Sequence, residues 1–254
     1  MTTIEAIVLG IVEGLSEFLP ISSTGHLILA STLMKLQQDE AHMVFEVAIQ
    51  SGAMLAVLFI YRQRLASSRD LLKKVCCAFV PTAALGYLLY KVVKSLFLPS
   101  LVSYMLIAGG IAFIAIERWM KNRPAAVKDL ADISYRQAIS IGLIQSLSMI
   151  PGVSRSGATI LGGLGVGLDR KDAAEFSFLL ALPTMLAATS YDIYKNHAHF
   201  QSGDWQNILI GCVTSFIFGV IGIKALLKYV TGNTFIPFGV YRIVVGVVFL
   251  LFLP

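Results

Sequence analysis

The sequence predicts an all-α integral membrane protein with six transmembrane helices and two re-entrant helical hairpins, arranged as an inverted repeat. The first observation is composition: the 254 residues are 56% hydrophobic and 14% charged, with a mean hydropathy of +0.76. A soluble domain of this length is much less apolar. The apolar stretches run for about 17 to 24 residues without alternation, which suits helices crossing a core of about 30 Å and not the strands of a barrel.

The second observation is that two of the long apolar segments are interrupted. Six segments look like full spans, at residues 45–61, 72–93, 102–120, 173–195, 207–228 and 237–253. Segments 3–35 and 135–167 are broken midway by proline and small hydroxyl residues, at 19–23 and 151–154. Backbone freed at such breaks is tolerated at membrane depth only inside protein or beside a water-filled cavity. We therefore expect each segment to form a re-entrant hairpin of two half-helices.

The third observation is an internal repeat. A shift of 132 positions pairs Gly10 with Gly142 and Ser22 with Ser154. The single membrane domain, residues 1–254, therefore divides into repeats at roughly 1–120 and 134–254. A hairpin returns to its own side of the membrane and three spans cross it, so the second repeat starts on the opposite face from the first. We therefore expect the second repeat to be inverted, with both hairpin tips near the midplane.

Loop charges predict the orientation. One face collects four lysines, at positions 35, 91, 94 and 195. The other collects fourteen basic residues: Arg62, Arg64, Arg69, Lys73, Lys74, Arg118, Lys121, Arg123, Lys128, Arg136, Arg170, Lys171, Lys224 and Lys228. The richer face is expected in the cytoplasm, which places both termini and the entrance of the first hairpin outside. The net charge of +5 is thereby explained without a nucleic-acid partner. Small-residue helix faces would permit a homodimer.

Two acids mark the first half-helix of the first hairpin. Glu13 and Glu17 are four residues apart and share one helix face. Ionisable groups at membrane depth are costly and usually functional. Paired carboxylates suit a divalent cation such as Mg²⁺ or Ca²⁺, or one general base beside an electrostatic partner. The alternative is a shallow hairpin whose acids are hydrated.

Hydroxyl groups and a histidine follow the first break. Ser22, Ser23, Thr24 and Gly25 open the second half-helix, and a helix start binds phosphate through its free N–H groups. His26 can share the face of the serines and act as acid or base for a serine nucleophile. Alternatively, the hydroxyls only cap the helix and the histidine only packs.

The second break carries a fixed positive charge. This break contains Ser154, Arg155, Ser156 and Thr159. The internal repeat aligns Arg155 with Ser23. An arginine can hold a phosphate bidentately and offset charge on a transferring phosphoryl group. Its alternative role is a structural ion pair with one of the two acids. The divergence of the repeats favours catalysis over symmetric ion passage.

Two motifs carry a resemblance to a known family. Residues 13–26 read EGLSEFLPISSTGH and residues 151–159 read PGVSRSGAT. At these segments the sequence closely resembles the undecaprenyl-diphosphate phosphatase family of the bacitracin-resistance type. The likeness runs nearly end to end and includes Phe45-Glu46-Val47.

The resemblance implies hydrolysis of a polyprenyl diphosphate lipid, the C55 diphosphate, to the monophosphate carrier recycled for peptidoglycan synthesis. It implies a divalent cation, a bacterial plasma-membrane location and a site open to the outer face. By position, Glu13 and Glu17 would be the acidic pair, Ser23 the nucleophile, His26 its acid or base and Arg155 the phosphate clamp. The phosphates would be lined by Ser22, Thr24, Gly25, Ser154, Ser156 and Thr159. Whether Ser23, His26 or water attacks stays open.

Two other functions compete with this interpretation. A phosphatidic-acid-type phosphatase needs a histidine shortly after its Ser-Arg element, and residues 156–196 contain none. A polyprenyl-phosphate flippase or ion-coupled transporter fits the inverted repeat and the broken helices equally well.

Overall fold

All the regular secondary structure in the described part of the chain is helical. A computed structural model describes residues 1–37, 39–96, 99–121, 126–127, 129–196 and 205–252. The helices are α1 (Thr3–Phe18), α2 (Ser23–Leu33), α3 (Glu40–Ser67), α4 (Arg69–Ser95), α5 (Pro99–Met120), α6 (Tyr135–Gln145), α7 (Arg155–Gly165), α8 (Arg170–Asn196), α9 (Trp205–Val230) and α10 (Ile236–Phe252). Short 3-10 turns lie at Leu130–Asp132 and Ser146–Met149.

Five of the described helices are long and apolar enough to cross a bilayer. The qualifying stretches are Ala41–Ser67, Arg69–Leu89, Ser100–Met120, Arg170–Tyr191 and Trp205–Val230. The sixth expected span corresponds to α10, whose apolar stretch Ile236–Leu251 is shorter, and residue 253 lies outside the described residues, as do Arg123 and Lys128. The class of an all-α, multi-pass membrane protein is confirmed.

The helices extend past the apolar stretches that predicted them. The span expected at 45–61 lies within α3, which begins earlier because the Asp39 carboxylate accepts the His42 N–H at 2.9 Å and caps the helix. Helix formation follows the capping residue, whereas hydropathy marks only the apolar middle of the helix. The observed bounds are therefore wider than the expected ones.

Both expected breaks are present. The chain leaves α1 in extended conformation at Leu19 and starts α2 after Ser22, whose φ is 74°. The second break runs from the 3-10 turn to α7, with φ of 73° at Ser154. The two repeat-related serines thus share a left-handed backbone that only glycine adopts easily.

The helices of the two sequence repeats pack in reciprocal pairs. Helix α1 lies against α9, and its counterpart α6 lies against α4; α3 and α8 contact each other, as do α5 and α10. A methyl group at Gly10 would come 2.7 Å from the Gly211 carbonyl oxygen, and one at Gly142 would overlap the Ala78 carbonyl oxygen. Repeat-related glycines therefore allow both close approaches.

The core fixes the end of α1 beside α8. Phe18 is fully buried and meets Phe178 edge-to-face, with ring centroids 5.4 Å apart. Phe113, Phe176 and Phe235 belong to the same buried cluster. This packing places the first break and its acids next to the second hairpin.

Candidate active site

Glu17 joins the two broken helices at the centre of the candidate site. Its Oε2 accepts a hydrogen bond from the Ser23 hydroxyl at 2.5 Å, and its Oε1 accepts one from Arg155 Nη2 at 2.9 Å. Glu17 is 8% exposed and the Arg155 side chain 12%. One carboxylate from α1 therefore holds the first residue of α2 and the first residue of α7.

Arg155 is held from several sides. Its Nη1 donates to the Ser177 carbonyl at 3.0 Å, and its Nη2 lies 3.7 Å from the Met185 sulfur. Its buried Nε has no partner among the described residues. The guanidinium is therefore fixed in place, and its Nε nitrogen keeps a donor that no described residue uses.

Glu13 has surroundings opposite to those of Glu17. It is fully buried, and neither of its carboxylate oxygens has a hydrogen-bond partner in the part of the chain that the structure describes. A buried carboxylate without partners costs several kcal/mol (~3 or more), so it is retained only for a purpose other than stability. Its oxygens therefore keep their bonding capacity unused within the described residues.

His26 does not bond to Ser23. Its Nδ1 lies 2.8 Å from the Ser22 carbonyl oxygen, and its Nε2 lies 2.7 Å from the Tyr241 hydroxyl. The ring stacks on Tyr241, with centroids 5.6 Å apart. A carbonyl oxygen only accepts, so Nδ1 carries a proton, and in the neutral ring Nε2 accepts from Tyr241. The expected histidine–serine pair is replaced by a histidine–tyrosine pair and a serine–glutamate pair.

The start of α2 has free donors. Ser22 caps it without a side-chain hydrogen bond, which leaves the first backbone N–H groups of the helix available. Thr24 is exposed, whereas Gly25 is buried beside Val102 and Leu106. Of the four residues expected to form this phosphate-binding start, Ser23 and Thr24 are at least partly accessible.

The hydroxyls of the second break bond to protein groups. Ser154 Oγ accepts the Gly157 N–H at 3.1 Å, and Ser156 Oγ donates to the Leu19 carbonyl at 2.9 Å, which ties the second break to the first. Thr159 Oγ1 lies 2.5 Å from Ser177 Oγ. Ser156 and Thr159 are each 1% exposed, so in this arrangement they support the site from behind.

A divalent cation fits Glu13 better than it fits Glu17. Within the described residues there is no group of three or more His, Cys, Asp or Glu side chains that could hold a metal ion. Both oxygens of Glu17 are engaged, while neither oxygen of Glu13 has a partner in the part of the chain that the structure describes. Mg²⁺ commonly binds through one or two carboxylates together with substrate phosphates. Glu13 offers one such carboxylate, and a diphosphate would have to supply the other oxygens.

Two neighbouring residues of α10 also belong to the site region, and the motifs did not reveal them. Tyr241 contacts His26, and the adjacent Arg242 is fully buried among backbone carbonyls of both breaks. The sequence held one signal: an arginine within an apolar segment is costly and usually functional. The sequence gives no such signal for Tyr241, since aromatic residues are common in membrane helices near the interface.

Comparison with known proteins places this site in a family. The family model described as "Bacitracin resistance protein BacA" matches residues 6–248, which include both breaks and α10 up to Val248. The chain belongs to the BacA family.

Full-length relatives support the BacA assignment. The chain is 59% identical over 252 residues to a protein of Persephonella marina named undecaprenyl-diphosphatase, with 99% of each chain covered. It is 53% identical to proteins of the same name from a Sulfurihydrogenibium species, over 99% of each chain, and from Wolinella succinogenes, over 100% of this chain and 99% of the relative. The BacA family resemblance found in the motifs is confirmed over the whole chain.

Proposed function

We propose that the protein hydrolyses undecaprenyl diphosphate to undecaprenyl phosphate and inorganic phosphate, and so recycles the lipid carrier for cell-wall synthesis and confers bacitracin resistance. The observation that carries the proposal is the Glu17 carboxylate, which holds the Ser23 hydroxyl on one oxygen and Arg155 on the other. A nucleophile, a proton acceptor and a fixed cation thus meet where two half-helices begin. Membership of the BacA family and the names of its relatives support the same activity.

In the first step, Ser23 attacks the terminal phosphorus. Its hydroxyl proton passes to Glu17 Oε2, an Oγ–P bond forms, and the bridging P–O bond breaks. The proton then leaves with the lipid monophosphate, which restores the carboxylate. Phosphoryl transfer passes through a loose transition state, so a carboxylate is a sufficient base when the groups are well positioned.

In the second step, water attacks the phosphoserine. Glu17 takes the proton of the water and returns it to Ser23 Oγ as inorganic phosphate leaves, so that the sum is one water consumed and one anhydride bond broken. Arg155 offsets the charge on the phosphoryl oxygens in both steps. We assign His26 to proton exchange through the Tyr241 hydroxyl, because its Nε2 is bonded to that hydroxyl at 2.7 Å.

Glu13 would hold the divalent cation, Mg²⁺ or Ca²⁺. The cation would neutralise charge on the diphosphate when bound. Glu17 would contribute to the same electrostatic environment while keeping its bonds to Ser23 and Arg155.

The two broken segments would form re-entrant hairpins of an inverted repeat, which completes a layout of six spans. The reciprocal packing of α1 with α9 and of α6 with α4 supports this layout, as do the matching φ values of Ser22 and Ser154. The uneven distribution of basic residues supports an inner-membrane orientation with both termini outside and the site facing the outer side.

The test is phosphate release by the purified protein in detergent with Mg²⁺ and a polyprenyl diphosphate. The parent is expected to release phosphate, and Glu17→Ala, Ser23→Ala and Arg155→Ala are each expected to lose about 100-fold or more in kcat. Arg62→Ala is the matched control, since Arg62 is exposed and stacks over Phe59, 5.2 Å from the ring centroid.

Two outcomes contradict the proposal. Folded variants that all work at the parental rate would refute the site. Lipid movement across vesicle bilayers without phosphate release would show a flippase instead, so the vesicle assay is run beside the phosphate assay.

A further inference from the structure

Arg242 is a buried cation that the proposed chemistry does not use. It lies on α10 and is 0% exposed. Among the ion pairs of the described residues, none includes it. A charge buried in this way is retained only where other polar groups replace its hydration.

Backbone carbonyls supply that replacement, and they come from three parts of the chain. Nη1 donates to the carbonyl of Pro20 in the first break at 3.1 Å. Nη2 donates to the carbonyls of Gly152 and Val153 in the second break, at 3.0 and 2.9 Å. The remaining bonds anchor the group to α5, from Nη2 to Met105 O at 3.2 Å and from Nε to Leu106 O at 3.3 Å.

The carbonyls of Pro20, Gly152 and Val153 lie just before the strained starts of α2 and α7. Pro20 is two residues from Ser22, and Val153 precedes Ser154, the two serines with φ of 74° and 73°. Backbone in such regions persists only where surrounding contacts hold it. Carbonyls freed at breaks in the membrane also need donors. The Arg242 guanidinium holds the strained backbone and supplies donors to the free carbonyls of both breaks, because its N–H groups form a planar fork.

We propose that Arg242 is the positioning residue that holds the starts of α2 and α7 in register, and with them Ser23 and Arg155. It acts through the backbone and does not touch the substrate. The proposal rests on the function proposed above for that site. Gly109 leaves the space that the guanidinium occupies, since a methyl group there would come 2.7 Å from Arg242 Cζ and overlap Nη2.

The experiment compares Arg242→Met and Arg242→Lys with the parent in detergent. Four quantities are measured: kcat and KM for phosphate release, the unfolding temperature, and amide hydrogen exchange by mass spectrometry. Arg242→Met is expected to lower kcat about 100-fold, the loss typical when reacting groups are displaced by about 1 Å. Exchange should rise in peptides covering 19–25 and 150–157, with α9 unchanged. Arg242→Lys keeps the charge but cannot reach both breaks together, so it should recover part of kcat.

Matched variants keep the proposal testable if Arg242→Met fails to fold. Gly109→Ala displaces the guanidinium without removing it and should lower kcat and raise exchange at both breaks. Gly165→Ala is its control, because a methyl group there meets nothing within 4 Å. Arg62→Met is the control for loss of an arginine and should match the parent.

Three results would overturn the proposal. One is a folded Arg242→Met with parental kcat. Another is a loss of kcat with unchanged exchange at the two breaks, since Arg242 would then act elsewhere. The last is increased exchange throughout the protein, which would indicate a general structural role. If the parent itself releases no phosphate, the proposed function fails, and the exchange data alone decide whether Arg242 holds the breaks.

Discussion

Glu13 and Glu17 lie four residues apart on one half-helix, yet their carboxylates have opposite surroundings. Glu17 bonds to Ser23 and Arg155 and contributes to the fold, whereas Glu13 is buried and has no hydrogen-bond partner among the described residues. Removing one member of a buried ion pair leaves the other charge uncompensated. Removing a charge that has no partner instead relieves a desolvation cost. The same substitution should therefore change stability in opposite directions at the two positions.

Glu17→Gln is expected to lower the free energy of unfolding by about 3 kcal/mol, because Arg155 loses its buried partner. Glu13→Gln should leave stability unchanged or raise it, since glutamine fills the same space without the charge. Phosphate release should fall about 100-fold in both, which separates function from fold. The two variants are compared with the parent by their unfolding in mild detergent and by their rates of phosphate release. Equal destabilisation by both variants would contradict the described environments.

At this scale, the sequence predicted which residues lie together at the two breaks better than it predicted their pairing. The acids, Ser23, His26 and Arg155 stand out because polar groups are rare in apolar segments. The contact of His26 with Tyr241 spans 215 residues and leaves no pattern in either segment. Arg242 could be noticed, but its partners are carbonyl oxygens, which every residue has. Its role is therefore visible only in three dimensions.

At the scale of elements, the two breaks are similar in backbone and different in side-chain bonding. Ser154 caps α7 through Gly157 N–H and bonds to Ser156, whereas Ser22 makes no cap bond. The sequence predicted both breaks, because proline and hydroxyl residues interrupt the apolar pattern. The bounds of the helices were less predictable, since caps such as Asp39 extend them beyond the apolar residues.

Ser22→Gly is expected to stabilise the protein by about 1 kcal/mol, because glycine adopts the left-handed conformation without strain. Ser154→Gly should be close to neutral, since the same relief is offset by the lost hydrogen bonds, worth about 1 kcal/mol. Unfolding measurements on both variants give the comparison. A Ser22→Gly protein less stable than the Ser154→Gly protein would show that the Ser22 side chain is bonded in the fold.

At the scale of the whole molecule, the proposed orientation rests on the distribution of charge. Single cysteines test it after Cys76, Cys77 and Cys212 are changed to serine. Lys35→Cys should react with an impermeant maleimide in intact cells, because its exposed position belongs to the face with few basic residues. Lys171→Cys, 55% exposed in its side chain, should react only after permeabilisation. The reverse pattern would place the site on the cytoplasmic side.

The central claim is that Glu17 acts on the proton of Ser23 in a phosphatase. The most direct measurement is a double-mutant cycle of phosphate release with Ser23→Ala, Glu17→Gln and the combined variant, each confirmed as folded. Residues that act as one unit lose activity non-additively, so the combined variant should be no slower than the slower single variant, within about twofold. Losses that multiply, or a Ser23→Ala protein that works at the parental rate, would contradict the account.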